Sequence, residues 1–165
     1  TLAAAAACSV ERFQQPEAVI SRKIDLLFLT DTSGSLSDER PAIADGIDSF
    51  IGALPSDVDL NVAVMLAHGS RSNWSGKLFH RTGKPHTRVL SNQTLTTAEL
   101  RAELKANLSN VQVDNHSDGG ESGLYSLSRA TDHGMLTASR AHGFFREDAA
   151  LVVVMISDEQ DICYR

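Results

Sequence analysis

The chain has 165 residues, of which 42% are hydrophobic and 22% are charged, and its formal net charge is −6. This length supports one globular domain with a real core, and the negative charge disfavours wholesale binding to nucleic acid or to an anionic membrane surface. No apolar run reaches the roughly 18 residues that a membrane-spanning helix needs.

Residues 1–21 are interpreted as a leader and linker, and residues 22–165 as the domain. The alanine-rich stretch that ends at Cys8 is typical of the end of a bacterial lipoprotein signal, in which the cysteine carries the lipid. The alternative is a plain alanine leader with Cys8 either free or paired with Cys163. The lipoprotein interpretation predicts an exported protein at the cell surface or outer membrane, held there only through Cys8; a periplasmic or secreted protein is the alternative.

The first predicted strand is the apolar run that starts at Ile24 and stops at Asp31. An apolar run of this kind, bounded by polar turn residues, is typical of a strand buried on both faces in the middle of a parallel sheet. A helix follows and is closed by Pro55; its apolar residues recur at helical spacing and are Ile43, Ile47, Phe50, Ile51 and Leu54. Residues 58–67 predict the second strand, and the segment KLFHR predicts a short antiparallel edge strand.

Residues 81–96 are predicted to be irregular because they combine Gly83 and Pro85 with several Ser, Thr and Asn. The next helix is predicted to begin after Thr96 or Thr97, with an apolar stripe formed by Leu100, Leu104 and Leu108. Two short helices follow, and ALVVVMI at 150–156 predicts a second fully buried strand. The alternation of strands and helices predicts an α/β fold, a doubly wound and mostly parallel sheet with one antiparallel edge strand and helices on both faces.

Polar loops follow both buried strands and also precede the helix that starts near Gly123. Ligands of open α/β sheets bind outside the carboxyl ends of the strands, so these loops are the natural place for a site. Asp31, Ser33 and Ser35 alternate along an extended turn and can offer oxygens to one hard divalent cation. The alternative is a simple Asx turn, with Ser35 or Ser37 capping the first helix.

The D-x-S-G-S run at 31–35, together with the acidic cluster after the last strand, resembles the metal-ion-dependent adhesion site of von Willebrand factor A domains and integrin inserted domains. The resemblance covers roughly residues 22–161 and implies the three-layer, Rossmann-like fold of that family. It also implies a non-catalytic domain that uses Mg²⁺ or Ca²⁺ to bind an acidic group of a protein or surface polymer. The ligand set that it implies is Asp31, Ser33, Ser35, Asp118 and Asp158.

This chain departs from the family at Asp118, where many members have threonine. The added charge favours a structural Ca²⁺ over an Mg²⁺ that leaves room for a partner's carboxylate, and Glu121 competes for the same role. A further alternative keeps the fold but makes the chain an intracellular subunit that docks a partner in a chelatase-type assembly. Family members also continue past the third metal loop, so the resemblance implies a truncated domain with an exposed sheet edge.

Candidate partner contacts surround the predicted metal site: Trp74, His116, Glu121 and Glu159. Trp74 lies in a stretch between His68 and Arg88 that is rich in basic residues. Exposed aromatic and arginine side chains are enriched at interfaces. The alternative for Trp74 is a solvated hairpin in which its ring covers the sheet edge, and for His116 a solvated loop position.

Enzymatic alternatives lack their motifs. A haloacid-dehalogenase-like phosphatase needs an aspartate where Ser33 stands, and a serine hydrolase needs a Gly-x-Ser-x-Gly turn that the sequence does not contain. A phosphate-binding loop needs Ser or Thr after Gly-Lys, whereas Lys84 precedes Pro85. We therefore expect a protein that is not an enzyme.

Overall fold

The computed structural model describes residues 22–54, 57–81, 88–111 and 121–158. The candidate site residues and cysteines that lie outside these ranges are Cys8, His116, Asp118, Glu159 and Cys163, so the pairing of the two cysteines lies outside them as well.

The described residues form five strands and four helices. The strands are β1 (Lys23–Thr30), β2 (Asp59–Leu66), β3 (Leu78–Phe79), β4 (Val89–Ser91) and β5 (Ala150–Ile156). The helices are α1 (Arg40–Gly52), α2 (Thr97–Ser109), α3 (Gly123–Ala130) and α4 (His133–Ala141). None of these helices has the length and apolar character that crossing a membrane requires.

The sheet is mostly parallel, with β1 in its centre. β1 pairs in parallel with β2 on one side and with β5 on the other, so that Leu27 faces both Ala63 and Val153. The outer edge of β2 is shared by two short antiparallel strands, β3 and β4. The prediction of a mostly parallel α/β sheet is confirmed, and so is the antiparallel strand at KLFHR, but the prediction of a single antiparallel strand is wrong.

β4 is the strand that the sequence analysis missed, because residues 81–96 were predicted to be irregular. Its neighbour Asn92 continues the pairing with side-chain atoms: Oδ1 accepts a hydrogen bond from the Leu60 amide (3.0 Å) and Nδ2 donates one to the Val58 carbonyl (2.7 Å). The bond to Leu60 spans 32 residues of sequence. This short segment is a strand because it pairs with residues that are distant in the sequence. The local residue pattern does not predict such partners.

Helices cover both faces of the sheet, as predicted. Leu26 and Phe28 of β1 pack in a core with buried residues of α1 and α2, whereas Leu27 and Leu29 pack with Ala130 of α3 on the opposite face. This alternation follows from the two-residue period of a strand. The molecule is therefore a three-layer α/β structure.

β5 differs from the predicted fully buried strand. Leu151 is 48% exposed and Met155 is 47% exposed, and Val152 is exposed as well. In the part of the chain that the structure describes, β5 is the edge strand of the sheet. β1 lies on one side of it and no described strand lies on the other, so its side chains are less covered than those of β1. An exposed sheet edge is thus present, whereas the burial predicted from the apolar run is wrong.

Candidate metal centre

Backbone hydrogen bonds continue past the carboxyl ends of the central strands and bring their loops together. The Asp31 amide donates to the Ile156 carbonyl (2.8 Å), and the Ala67 amide donates to the Thr30 carbonyl (2.8 Å). The Ser122 amide, just before α3, donates to the Ala67 carbonyl (2.7 Å). The loops after β1, β2 and β5 and the start of α3 therefore lie together at the carboxyl end of the parallel strands, which is the edge of the sheet meant below.

The carboxylate of Asp31 is fully buried at this edge, with 0% exposure. Its Oδ1 accepts a hydrogen bond from the Ser33 amide (2.6 Å), and its Oδ2 accepts one from the Ser157 hydroxyl (2.8 Å). These two bonds fix the orientation of the carboxylate. The first is the Asx turn that the sequence analysis considered, but the helix-capping part of that alternative is wrong, because α1 begins at Arg40 with Glu39 as its N-cap.

The other described members of the predicted ligand set lie beside Asp31. The hydroxyl oxygens of Ser33 and Ser35 are 2.8 Å apart, and the Ser35 hydroxyl donates to Oδ1 of Asp158 at 3.4 Å. Arg40 holds the loop from the first turn of α1 by donating from Nη2 to the Ser33 carbonyl (2.5 Å). The loops after β1 and β5 thus present two carboxylates and two hydroxyls to one another.

The chemistry of this donor set fits a hard divalent cation, which prefers carboxylate and hydroxyl oxygens to nitrogen or sulfur. Within the described ranges, no group of three or more His, Cys, Asp or Glu side chains stands close enough together to hold a metal ion. Hydroxyls make up the remainder of the cluster instead. Among the described members of the predicted ligand set, the negative charge comes from Asp31 and Asp158.

A buried histidine that sequence reasoning missed supports the loop after β1. His68 is 0% exposed and lies between two hydroxyls: its Nε2 is 2.8 Å from Oγ1 of Thr32, and its Nδ1 is 2.6 Å from Oγ of Ser72. Thr32 stands between Asp31 and Ser33, so the histidine connects the candidate metal loop to the loop after β2. No motif marks His68; its place directly after an apolar strand was the available signal.

The candidate partner contacts that are described have different surroundings. Trp74 is half-buried, with its ring centroid 5.3 Å from that of Phe79 and 6.0 Å from that of His80, so it packs over the end of β3. Glu121 is half-buried and lines a pocket of about 230 Å³ at the carboxyl end of β5, together with Met155 and Ser157. Glu121 therefore lies beside the candidate metal centre.

Comparison with protein-family models, with curated proteins and with solved structures finds no match for this chain. Membership of the von Willebrand factor A family therefore stays a prediction from the sequence.

Proposed function

We propose that this chain is a von Willebrand factor A-like domain that binds a partner through a metal ion and catalyses no reaction. One observation carries the proposal. Asp31, Ser33 and Ser35 from the end of β1 meet Asp158 from the end of β5. They do so at the edge of the sheet where open α/β folds bind their ligands.

The ion in this proposal is Mg²⁺ or Ca²⁺, held by Asp31, Ser33, Ser35 and Asp158. Asp118, which precedes α3 in the sequence, is the proposed fifth ligand. When bound, the ion supplies a positive charge to which a carboxylate of the partner binds. The chain's own contribution is to hold Asp31 ready: its carboxylate is buried and oriented by two hydrogen bonds, and burying a negative charge is costly until a cation compensates it.

The partner in this proposal is a protein or surface polymer with an acidic group, and the domain belongs to an exported bacterial surface lipoprotein anchored at Cys8. An intracellular docking subunit uses the same metal chemistry in another compartment. The two placements are separated by labelling the full-length protein with a radioactive or clickable fatty acid in the native host. Label on the wild type that is lost in Cys8→Ala supports the anchored surface protein.

Calorimetric titration of Mg²⁺ and Ca²⁺ into chelator-treated protein tests the metal centre. We expect saturable binding by the wild type and a loss of more than about 100-fold in Asp158→Ala, since losing only a hydrogen-bonding partner of a metal ligand typically costs about 10–100-fold. Asp158 is exposed, so this variant should fold. Ser35→Ala is also at an exposed position and removes one proposed ligand without removing charge.

The matched control is Asp57→Ala, which removes an exposed carboxylate that pairs with Arg22 before β2, at the opposite end of the sheet. Its metal affinity should equal that of the wild type. Equal weak heats in all proteins would refute the metal centre. Acetate, titrated into the metal-saturated protein, then separates an adhesive ion from a structural one, because only an ion with an open position binds the added carboxylate.

A further inference from the structure

A second polar pocket lies between the β2–β3 connection and α3. Its volume is about 250 Å³, and the residues that line it include Asn73, Ser75, Lys77, Tyr125, Arg129 and Met135. Ligand pockets commonly measure roughly 300–1,000 Å³, so this one suits a ligand no larger than a single sugar ring. None of these residues belongs to the proposed metal ligands.

The wall of the pocket is held in place by Gly76. This glycine has a φ of 71°, and a Cβ at its position would lie 2.9 Å from the backbone nitrogen of Ala130, so only glycine permits the close approach to α3. Its amide donates to the Ser126 hydroxyl (3.0 Å), which in turn donates to the Leu66 carbonyl (2.8 Å). The pocket is therefore built before any ligand arrives.

One hydroxyl group in the wall of the pocket makes no hydrogen bond with the described residues. Ser75 is 7% exposed, and its hydroxyl is buried without a hydrogen-bond partner among the described residues. Buried polar groups are nearly always paired, so an orphaned hydroxyl calls for an explanation. The oxygen is closed off from the pocket as it stands, so Ser75 offers its hydroxyl to a ligand by rotating its side chain toward the pocket.

The pocket also carries one uncompensated positive charge. Arg129 is ion-paired with Asp132, whereas the ammonium of Lys77 makes no ion pair in the described part of the chain. One free cation matches a monoanion such as a carboxylate better than a phosphate dianion. The amide of Asn73 and the phenol of Tyr125 add groups that bind hydroxyls.

We propose that this pocket binds a small acidic sugar, a monosaccharide-sized carboxylate of the uronic acid class. The carboxylate pairs with Lys77, and the ring hydroxyls bond with Ser75 and Asn73. The lining of the pocket is almost entirely polar, so hydrogen bonds and the charge of Lys77 carry the recognition. This site does not depend on the metal centre.

Calorimetric titration with glucuronate, neutral glucose and glucose 6-phosphate tests the proposal. All titrations contain EDTA, so that no carboxylate binds through a metal ion. We expect saturable binding of glucuronate and an affinity about tenfold or more lower in Lys77→Met, the value of one charge-assisted hydrogen bond. Tyr125→Phe should weaken binding by a smaller factor.

The matched control is Lys105→Met, which removes a lysine of α2 that pairs with Asp45. It should bind glucuronate as the wild type does, and amide NMR spectra of each variant report that it is folded. Unchanged affinity in folded Lys77→Met would overturn the proposal. Equal binding of glucose, tighter binding of glucose 6-phosphate, or no binding of glucuronate at millimolar concentration would overturn it as well.

Discussion

At the scale of single residues, His68 connects the loops after β1 and β2 at the candidate metal centre. Its two ring nitrogens each face a hydroxyl, that of Thr32 and that of Ser72, and both hydroxyls belong to buried residues. A neutral imidazole offers one donor and one acceptor, so each hydroxyl finds a suitable partner. The loop that carries Asp31 is therefore supported from the side facing the core.

The substitution His68→Leu should lower the free energy of unfolding by roughly 1–3 kcal/mol, because the buried hydroxyl of Thr32 loses its partner, whereas that of Ser72 still accepts a hydrogen bond from the Trp74 amide. Urea unfolding measures the loss. The control is His133→Leu, at an exposed position on α4, which should change stability by no more than about 0.5 kcal/mol. Equal stabilities of the two variants would mean that the hydroxyl of Thr32 does not depend on His68.

At the scale of elements, α1 and α2 are joined by charge as well as by packing. Nε of Arg101 donates to Oδ1 of Asp48 (2.6 Å), and Nη2 of the same guanidinium donates to Oδ2, which makes a two-pronged pair across the helices. These hydrogen bonds lower the pKa of Asp48 below its ordinary value. The pair therefore makes the stability of the contact between the two helices depend on pH.

A carboxyl group with a lowered pKa stabilises the folded chain above the ordinary aspartate value of about 3.9, and this contribution is lost as the pH falls through the lower, folded-state value. Asp48→Asn should therefore have a lower Tm than the wild type at neutral pH, and the difference should shrink in acid, where Asp48 becomes protonated. Thermal unfolding monitored by circular dichroism across this range measures it. Asp57→Asn, whose contact with Arg22 is exposed and 3.5 Å long, is the control and should show little difference at neutral pH. A Tm difference for Asp48→Asn that stays constant with pH would contradict the role of the pair.

At the scale of the whole molecule, the end of the sheet opposite the candidate site is held by one ion network. Arg146, in the connection before β5, donates from its amide and from Nε to the carboxylate of Asp25 (2.7 and 2.8 Å). Its Nη1 donates to Asp59 at 2.8 Å. Asp25 is 1% exposed, so the network joins β1, β2 and the α4–β5 connection around a buried charge.

The substitution Arg146→Met should lower the free energy of unfolding by about 3–5 kcal/mol, because the carboxylate of Asp25 keeps the backbone amide of residue 146 but stays buried without its positively charged partner. Chemical denaturation measures the change. Arg22→Met is the matched control: its ion pair with Asp57 is exposed, so the loss should stay within about 1 kcal/mol. Adding Asp25→Leu to Arg146→Met should recover part of the stability, and no recovery would argue against an unpaired buried charge as the cause.

The sequence by itself determined the strands and helices whose patterns are local. The continuous apolar run after Ile24 predicted a central strand, and the spacing of Leu100, Leu104 and Leu108 predicted the buried stripe of α2. It also determined that Asp31 and its serines follow a buried strand. These features depend on residues that are close together in the sequence, so the local pattern of apolar and polar residues is enough to predict them.

Only the tertiary structure decided which distant segments meet. The apolar residues of 150–156 read as a buried strand, yet Met155 is exposed because β5 lies at the edge of the described sheet. The 2.8 Å contact between His68 and Thr32 crosses 36 positions of sequence, and the bond from Arg146 to Asp25 crosses 121. Hydrogen bonds and burial of this kind depend on packing between elements. A local pattern of residue types does not show which distant residue will be the partner.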